Sequence, residues 1–69
     1  MFYLGIDIGS LSCDAVIIDD SLTLRSFSVV PTGARNTEAI RRAKAEALSQ
    51  AGLSESDIQA MVSTGYGRN

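Results

Sequence analysis

The residues best suited to chemistry lie in two short segments, the first of them near the start of the chain. It combines one carboxylate, Asp7, with a small hydroxyl-rich turn, Gly9-Ser10-Leu11-Ser12. The amides and hydroxyls of such a turn can donate to phosphate oxygens, and a buried carboxylate beside it can hold the water shell of a divalent cation. These residues suggest a site for a metal-bound phosphate. Taken alone, however, Gly, Ser and Asp residues in this arrangement more often form an ordinary β-hairpin turn.

The second segment is Thr64-Gly65-Tyr66-Gly67-Arg68, which follows an apolar stretch. A strand that ends in a glycine-rich loop is typical of ligand approach at the carboxyl edge of a sheet. The two segments carry more weight together than apart, so the interpretation depends on the elements that position them.

Alternating and continuous apolar runs predict three strands in the first half of the chain. In the first, Phe2–Gly9, the apolar residues share one face and Asp7 shares the other with two glycines. In the second, Cys13–Asp19, a continuous apolar run predicts burial on both faces. The third, Leu22–Val30, alternates more weakly and predicts a half-exposed edge strand that ends at Pro31.

A helix is predicted from Asn36, as the N-cap, to about Ala51, with Gly52 as a left-handed C-terminal cap. Its apolar positions are spaced three and four residues apart: Ile40, Ala43, Ala47, Leu48 and Ala51. A stripe this rich in alanine predicts close packing against a sheet, not a cofactor site. Ser54–Asp57 has the spacing of a capping box, and Ile58–Ser63 is predicted as a fourth strand.

The element order β-β-β-α-β predicts an α/β fold with one mixed sheet. Short connections make the first three strands an antiparallel meander, and a right-handed crossover through the helix makes the fourth strand parallel to the first. The predicted sheet order is 3-2-1-4, with the first strand central. This order brings Asp7, the Gly9–Ser12 turn and the Thr64–Arg68 loop to one rim, which favours a ligand site there.

Length and composition exclude several classes of site. With 69 residues, the chain (1–69) is one domain at most. Cys13 is the only cysteine and there is no histidine, so an internal disulfide and a Cys/His zinc or iron–sulfur site are excluded. A net charge of −2 argues against nucleic acid as a partner. No signal peptide and no apolar run of about 20 residues is present, so we expect a cytoplasmic protein without a membrane partner.

The residues that carry these features also resemble a known family. The segment LGIDIGSLSCDAVIIDD resembles the first phosphate motif of the actin, hexokinase and heat-shock-chaperone ATPase superfamily, whose domains are ribonuclease-H-like. Pro31-Thr32-Gly33 before the helix, Ala51-Gly52-Leu53 after it and the STGYGR segment resemble the ATPase activators of 2-hydroxyacyl-CoA dehydratases and benzoyl-CoA reductases. The resemblance covers essentially the whole chain and implies half of an actin-like ATPase domain.

The resemblance implies a nucleotide site for ATP and Mg²⁺. Asp7 is then expected to hold Mg²⁺ through water. The residues expected around the β- and γ-phosphates are Gly9, Ser10, Leu11 and Ser12. Those expected to line the cleft are Thr64, Gly65, Tyr66, Gly67 and Arg68, the last of which would stabilise phosphate charge. Positioning and charge neutralisation are what phosphoryl transfer chiefly requires.

The chain also departs from the family. Asp14 occupies a position where this family often has lysine, and a carboxylate there would repel phosphate if it faced the site. The second phosphate motif, the adenosine motif and the cysteines that bridge a [4Fe–4S] cluster between subunits are not present. We therefore expect an N-terminal fragment of an activase-type ATPase, whose partners are a nucleotide and the missing C-terminal part.

Three functions remain open at this point. The first is an ATP-hydrolysing activase module that drives electron transfer to a dehydratase or reductase when complete. The second is a non-enzymatic remnant that self-associates and binds nucleotide weakly or not at all. The third is a relative of the sugar or acetate kinases, against which the STGYGR segment argues. Because one sheet face and one sheet edge lack a covering element, a homo-oligomer is also predicted.

Overall fold

The computed structural model describes residues 1–33 and 35–65. For residues 64 and 65 it describes the backbone only. Four strands, one α-helix and one 3-10 turn follow one another in the predicted β-β-β-α-β order. Their bounds are β1 Phe2–Ile8, β2 Ser12–Asp19, β3 Leu24–Pro31, α1 Asn36–Ala51, the 3-10 turn Glu55–Asp57 and β4 Ile58–Gly65. Among the described residues, no helix has the length and apolarity that a membrane crossing needs.

The strands form one mixed sheet of order β3-β2-β1-β4, as predicted. β1 pairs with β2 and β2 pairs with β3 in antiparallel register, whereas β1 and β4 run parallel. The parallel pairing requires the crossover that α1 provides between β3 and β4. β1 therefore lies at the centre of the sheet, and its carboxyl end meets that of β4.

The core lies between α1 and one face of the sheet. α1 packs mainly over β3 and β2 and to a smaller extent over β1. The buried apolar residues are Leu4, Ile6, Ile8, Cys13, Ala15, Ile17, Val30, Ala39, Ala43, Ala47 and Leu48. Three alanines on the buried side of α1 let the helix approach the strands closely. The stripe confirms the sequence prediction, with Ala39 as an additional buried position and Ile40 and Ala51 only partly buried.

The buried face of β3 is mostly polar. Ser26 and Ser28 point toward α1, where the Ser26 hydroxyl donates to the Ala47 carbonyl at 2.7 Å and the Ser28 hydroxyl donates to Glu46 at 2.8 Å. Phe27 and its neighbours on the opposite face are half exposed. Buried hydroxyls are tolerated here because each has a partner. The edge position of β3 was predicted, but the choice of its serine face as the buried one was not.

The outer face of the sheet, opposite α1, is not fully covered. On β2, which was predicted to be buried on both faces, Val16 and Ile18 are only partly buried. The two-sided prediction is therefore wrong for this chain, because a single helix covers a single face of the sheet. Val29 and Val62 on the flanking strands are at least half exposed. The result is a broad apolar surface on the side away from the core.

Local chemistry sets the element ends. Asp19 accepts hydrogen bonds from the Ser21 and Thr23 amides at 2.9 and 3.0 Å, and Leu22 takes a positive φ of 64° between them. This turn delays β3, which begins at Leu24 and not at the predicted Leu22. The C-terminal end of α1 is capped by Gly52, whose φ of 71° gives the predicted left-handed cap.

The start of α1 differs from the prediction by one residue. Asn36 is the first helical residue, and Arg35 occupies the N-cap position without a side-chain capping bond. The Arg35 carbonyl accepts the first helical bond from the Ala39 amide at 3.2 Å. The first turn of α1 therefore lacks the predicted side-chain cap, which typically contributes about 1 kcal/mol. The capping box before β4 is present, since the Ser54 amide donates to Asp57 at 2.8 Å.

Candidate functional site

Asp7 lies near the carboxyl end of the central strand, on the outer face of the sheet. Its neighbours in register are Asp14 on β2 and Thr64 on β4. The carboxylate is exposed, so the prediction of a buried one is wrong. The reason is the two-residue period of β1, which turns Leu4 and Ile6 toward α1 and Asp7 away from it. The central position and the rim placement were predicted correctly.

Asp14 stands directly opposite Asp7 and faces the same side. Both carboxylates line a shallow cavity of about 340 Å³ on the outer face, together with Gly5, Val16, Phe27 and two further residues. The Ser12 hydroxyl approaches Asp14 at 3.4 Å. Like charges directly opposite each other on antiparallel strands destabilise the pairing, so a cation at this point would be favourable. Asp14 therefore adds negative charge to the site.

Cys13, next to Asp14, takes no part in this rim chemistry. Its side chain is fully buried on the helix side of β2. Burial, followed by the negative charges of Asp14 and Asp7, raises the pKa of the Cys13 thiol. A thiol held in its protonated form inside a core is a packing group and not a nucleophile.

The turn from β1 to β2 is tightly closed. The Gly9 amide donates to the Ser12 carbonyl at 2.8 Å. A Cβ at position 9 would lie 3.3 Å from that same carbonyl oxygen, so a larger residue would fit only if the turn shifted by a few tenths of an ångström. Ser10 and Leu11 at the tip are exposed. The tip is thus a narrow, accessible loop, as a phosphate-receiving turn needs to be.

Thr32 holds this turn from the neighbouring strand. Its hydroxyl donates to the Gly9 carbonyl at 2.8 Å, and its backbone amide donates to the Leu11 carbonyl at 3.1 Å. The residue is only 4% exposed. Sequence reasoning assigned the Pro31-Thr32-Gly33 segment to the end of a strand and missed this contact. No local pattern in the sequence predicts this contact, because it joins residues 23 positions apart.

The second glycine-rich segment begins at the same rim. In the parallel pairing of β4 with β1, Thr64 lies beside Asp7 and Gly65 lies beside Ile8. The backbone therefore brings the start of this segment next to the carboxylate and the turn, as the predicted topology requires. Tyr66, Gly67 and Arg68 lie outside the described residues.

The rim suits a hydrated divalent cation better than a closed metal cage. Within residues 1–33 and 35–65, no group of three or more His, Cys, Asp or Glu side chains is placed to hold a metal. Mg²⁺ keeps several waters and commonly takes only one or two carboxylates together with substrate phosphates. The Asp7 and Asp14 carboxylates beside an amide-rich turn match that requirement.

Comparison with known proteins places this geometry in a family. Residues 4–69 match the sequence model of the BadF/BadG/BcrA/BcrD ATPase family. The chain belongs to the BadF/BadG/BcrA/BcrD ATPase family. Membership confirms the predicted superfamily and its activase branch, and the β-β-β-α-β unit with its 3-2-1-4 sheet is this family's version of the fold.

Two curated proteins align with nearly the whole chain. The activator of lactoyl-CoA dehydratase of Anaerotignum propionicum is 41% identical over 68 residues, which are 99% of this chain and 26% of that protein. The (R)-2-hydroxyglutaryl-CoA dehydratase activating ATPase of Acidaminococcus fermentans is 33% identical over 69 residues, again 26% of its length. The chain thus spans about a quarter of these relatives.

Two solved structures share the fold. Component A of the (R)-2-hydroxyglutaryl-CoA dehydratase of Acidaminococcus fermentans superposes with a TM-score of 0.90 at 33% identity, over 100% of this chain and 26% of that one. The activator of the 2-hydroxyisocaproyl-CoA dehydratase from Clostridium difficile, solved with bound ADPNP, gives 0.85 at 30% identity, over 99% and 25%. The predicted fold class is confirmed.

Proposed function

We propose that this chain is the phosphate-binding part of an ATP-hydrolysing activator of a CoA-ester dehydratase or reductase. In the full-length protein, ATP hydrolysis would be coupled to electron transfer toward the partner enzyme. One observation carries the proposal: the Gly9–Ser12 turn and the carboxyl end of β4 meet beside Asp7 at a single rim. Two relatives support it, since one is named an activating ATPase and another was solved with bound ADPNP.

The roles proposed for individual residues are those that the family resemblance implies. Mg²⁺, when bound, neutralises phosphate charge, and Asp7 holds its water shell from the outer face of the sheet. The turn residues Gly9, Ser10, Leu11 and Ser12 surround the β- and γ-phosphates and offer them hydroxyls and backbone amides, apart from the Gly9 amide, which donates to the Ser12 carbonyl. The cleft side is assigned to Thr64, Gly65, Tyr66, Gly67 and Arg68. Each group positions phosphate and offsets its charge, and none forms a covalent bond.

The setting of the protein belongs to the same proposal. Residues 1–69 form part of an actin-like ATPase lobe that works in the cytoplasm, where a lone, buried thiol such as Cys13 stays reduced. A [4Fe–4S] cluster would depend on cysteines that this chain does not contain. The partners are a nucleotide and the remainder of the ATPase, with no contact to nucleic acid or membrane.

A second candidate is a self-associating module with little nucleotide affinity. The observation that favours it is the exposed apolar surface of the sheet. Phe27 is 49% exposed, Val29 is 50% exposed and Val62 is 62% exposed. Side chains of this size and exposure on one face are typical of surfaces that pair with another molecule. Homodimerisation, by pairing of β4 edges or by face-to-face packing, is therefore part of this candidate.

Calorimetric titration of Mg-ATP into the chain tests the first candidate. We expect micromolar binding by the wild type and a loss of at least about tenfold in affinity for Asp7→Ala, because the metal-dependent part of the binding disappears. Asp20→Ala is the matched control, since Asp20 is an exposed turn carboxylate that pairs with the Met1 amino group at 3.2 Å. Absence of binding by the wild type would favour the self-associating module.

A further inference from the structure

The contact between Thr32 and the Gly9–Ser12 turn has a consequence for phosphate recognition. Two turn carbonyls, those of Gly9 and Leu11, are both engaged by Thr32, one by its hydroxyl and one by its amide. Thr32 is buried on the helix side of the sheet, whereas Asp7 is exposed on the outer side. The Gly9 carbonyl therefore points toward the buried Thr32 hydroxyl and away from the side on which the Asp7 carboxylate lies.

The direction of the carbonyls determines the direction of the amides. In a trans peptide the C=O of one residue and the N–H of the next point in opposite directions, and the described chain has no cis peptide. With the Gly9 carbonyl held toward Thr32, the Ser10 amide points away from Thr32. The Leu11 carbonyl, by contrast, accepts a backbone bond in the plane of the sheet, so the Ser12 amide points across the sheet toward β1. The Ser10 amide is thus the turn donor that the Thr32 hydroxyl directs away from the core.

We propose that Thr32 is a positioning residue that sets the Gly9–Ser10 peptide in the orientation that accepts phosphate. The inference rests on the proposed function, because phosphate is the ligand that the amides would receive. Without the hydroxyl, this peptide can rotate, since Gly9 has no Cβ to oppose the change. Rotation would present the Gly9 carbonyl oxygen, a negative dipole end, to the phosphate in place of the Ser10 amide. Thr32 thereby links the β3–α1 connection to the nucleotide site without touching the nucleotide.

The variant that isolates this role is Thr32→Val, which keeps the shape and the backbone amide but removes the hydroxyl. We expect Mg-ATP affinity to fall about tenfold, which is the effect of losing one well-placed donor to a charged group. We also expect the Ser10 amide signal in the NMR spectrum of the nucleotide-free chain to shift or broaden. Thr32→Ser, which retains the hydroxyl, should restore both the affinity and the signal.

Ser26→Ala provides the matched control for stability. Ser26 also donates a buried hydroxyl to a main-chain carbonyl, at 2.7 Å, but it does so beneath α1 and away from the turn. This variant should lower the unfolding temperature as Thr32→Val does while leaving both the Ser10 signal and the Mg-ATP affinity unchanged. If it weakened Mg-ATP binding to the same extent, the effect of Thr32 would be one of stability alone and the proposal would be overturned.

Two further outcomes are decisive. If Thr32→Val does not fold, Thr32→Ser and Thr32→Ala differ by the hydroxyl alone, and equal spectra and affinities for the two would overturn the proposal. If the wild type shows no Mg-ATP binding, the proposed function fails for this chain. The Ser10 amide signal then still tests the positioning role of Thr32. An unchanged signal in Thr32→Val contradicts that role, and a changed signal supports it.

Discussion

Asp7 and Asp14 lie directly opposite each other on the antiparallel strands β1 and β2, and both face the cavity on the outer side of the sheet. Two carboxylates in this register repel each other, and Asp14 would also repel a phosphate. A divalent cation bound between them would reduce both repulsions. If nucleotide binds at this rim as proposed, we expect its binding to depend strongly on Mg²⁺.

Asp14→Asn should improve binding of free ATP more than binding of Mg-ATP. The substitution removes the charge that repels phosphate, and the gain is smaller when a cation already offsets that charge. In the absence of metal and nucleotide, stability should rise by up to about 1 kcal/mol at low ionic strength, and less at high salt. Calorimetry with and without Mg²⁺ and thermal unfolding at two salt concentrations measure these effects. An equal gain with and without Mg²⁺ would contradict the proposed geometry.

Asp19 makes the stability of the β2–β3 turn dependent on pH. Hydrogen bonding from the Thr23 amide, together with the Ser21 amide and the Arg25 guanidinium, lowers the pKa of Asp19 below its ordinary value of 3.8. A carboxylate whose pKa is lower in the folded than in the unfolded state stabilises the fold above the unfolded-state pKa. This contribution is lost as the pH falls through the folded-state pKa.

The measurement for Asp19 is thermal unfolding of the wild type and of Asp19→Ala between neutral pH and about pH 2. The difference in unfolding temperature should be constant near neutrality and should shrink below the ordinary carboxyl pKa of about 4. Ser49→Ala, an exposed substitution on α1, is the control for the unspecific effects of acid. A difference that stays constant down to pH 2 would exclude the ionised carboxylate as its cause.

Ala47 is in close contact with the sheet, because its side chain is fully buried and its carbonyl accepts the Ser26 hydroxyl. Ala47→Leu should destabilise the fold by about 1–3 kcal/mol, since the added carbons force the helix away from β3. Ala45→Leu, at an exposed position on the same helix, should change stability by no more than about 0.5 kcal/mol. Urea unfolding of the two variants compares them directly, and equal losses would argue against close helix–sheet packing.

β4 is the sheet edge best suited to self-association. The strand spans Ile58–Gly65 without a charged residue or a proline, and Met61 and Val62 are 48% and 62% exposed. The opposite edge, β3, carries Arg25 and ends in Pro31, both of which discourage edge pairing. A symmetric dimer is therefore expected to form through β4 or through the outer face beside it.

Val62→Lys should convert such a dimer to a monomer, because the new charge lies on the apolar surface that would be buried. Sedimentation equilibrium at micromolar concentration measures the change. Gln50→Lys, which adds the same charge on the exposed side of α1, should leave the association unchanged. A wild-type chain that is monomeric under these conditions would refute the dimer.

Much of the fold was predictable from local patterns. The two-residue period of β1 assigned Leu4, Ile6 and Ile8 to the core face, and the spacing of alanines assigned the buried side of α1. Such patterns are local because each element shows its buried side within a few residues. The left-handed cap at Gly52 was predictable for the same reason, whereas the predicted N-cap was wrong by one residue.

The site was predictable only in part. Asp7, the Gly9–Ser12 turn and the meeting of β1 with β4 followed from residue types and from the crossover rule. The contact from Thr32 joins residues 23 positions apart in the chain, so no local pattern announces it. The exposure of Asp7 was missed for a similar reason, since it depends on which face of the sheet the helix covers.

The sequence by itself determined the order of the elements, the central place of β1 and the residue types available at its carboxyl end. These depend on short-range periodicity and on the chirality of the crossover, which every chain of this pattern shares. Only the tertiary structure decided that Asp14 lies opposite Asp7, that the serine side of β3 lies beneath α1 and that Thr32 hydrogen-bonds to the turn. Each of these depends on register and on distances between distant segments, which are set when the sheet and the helix pack together.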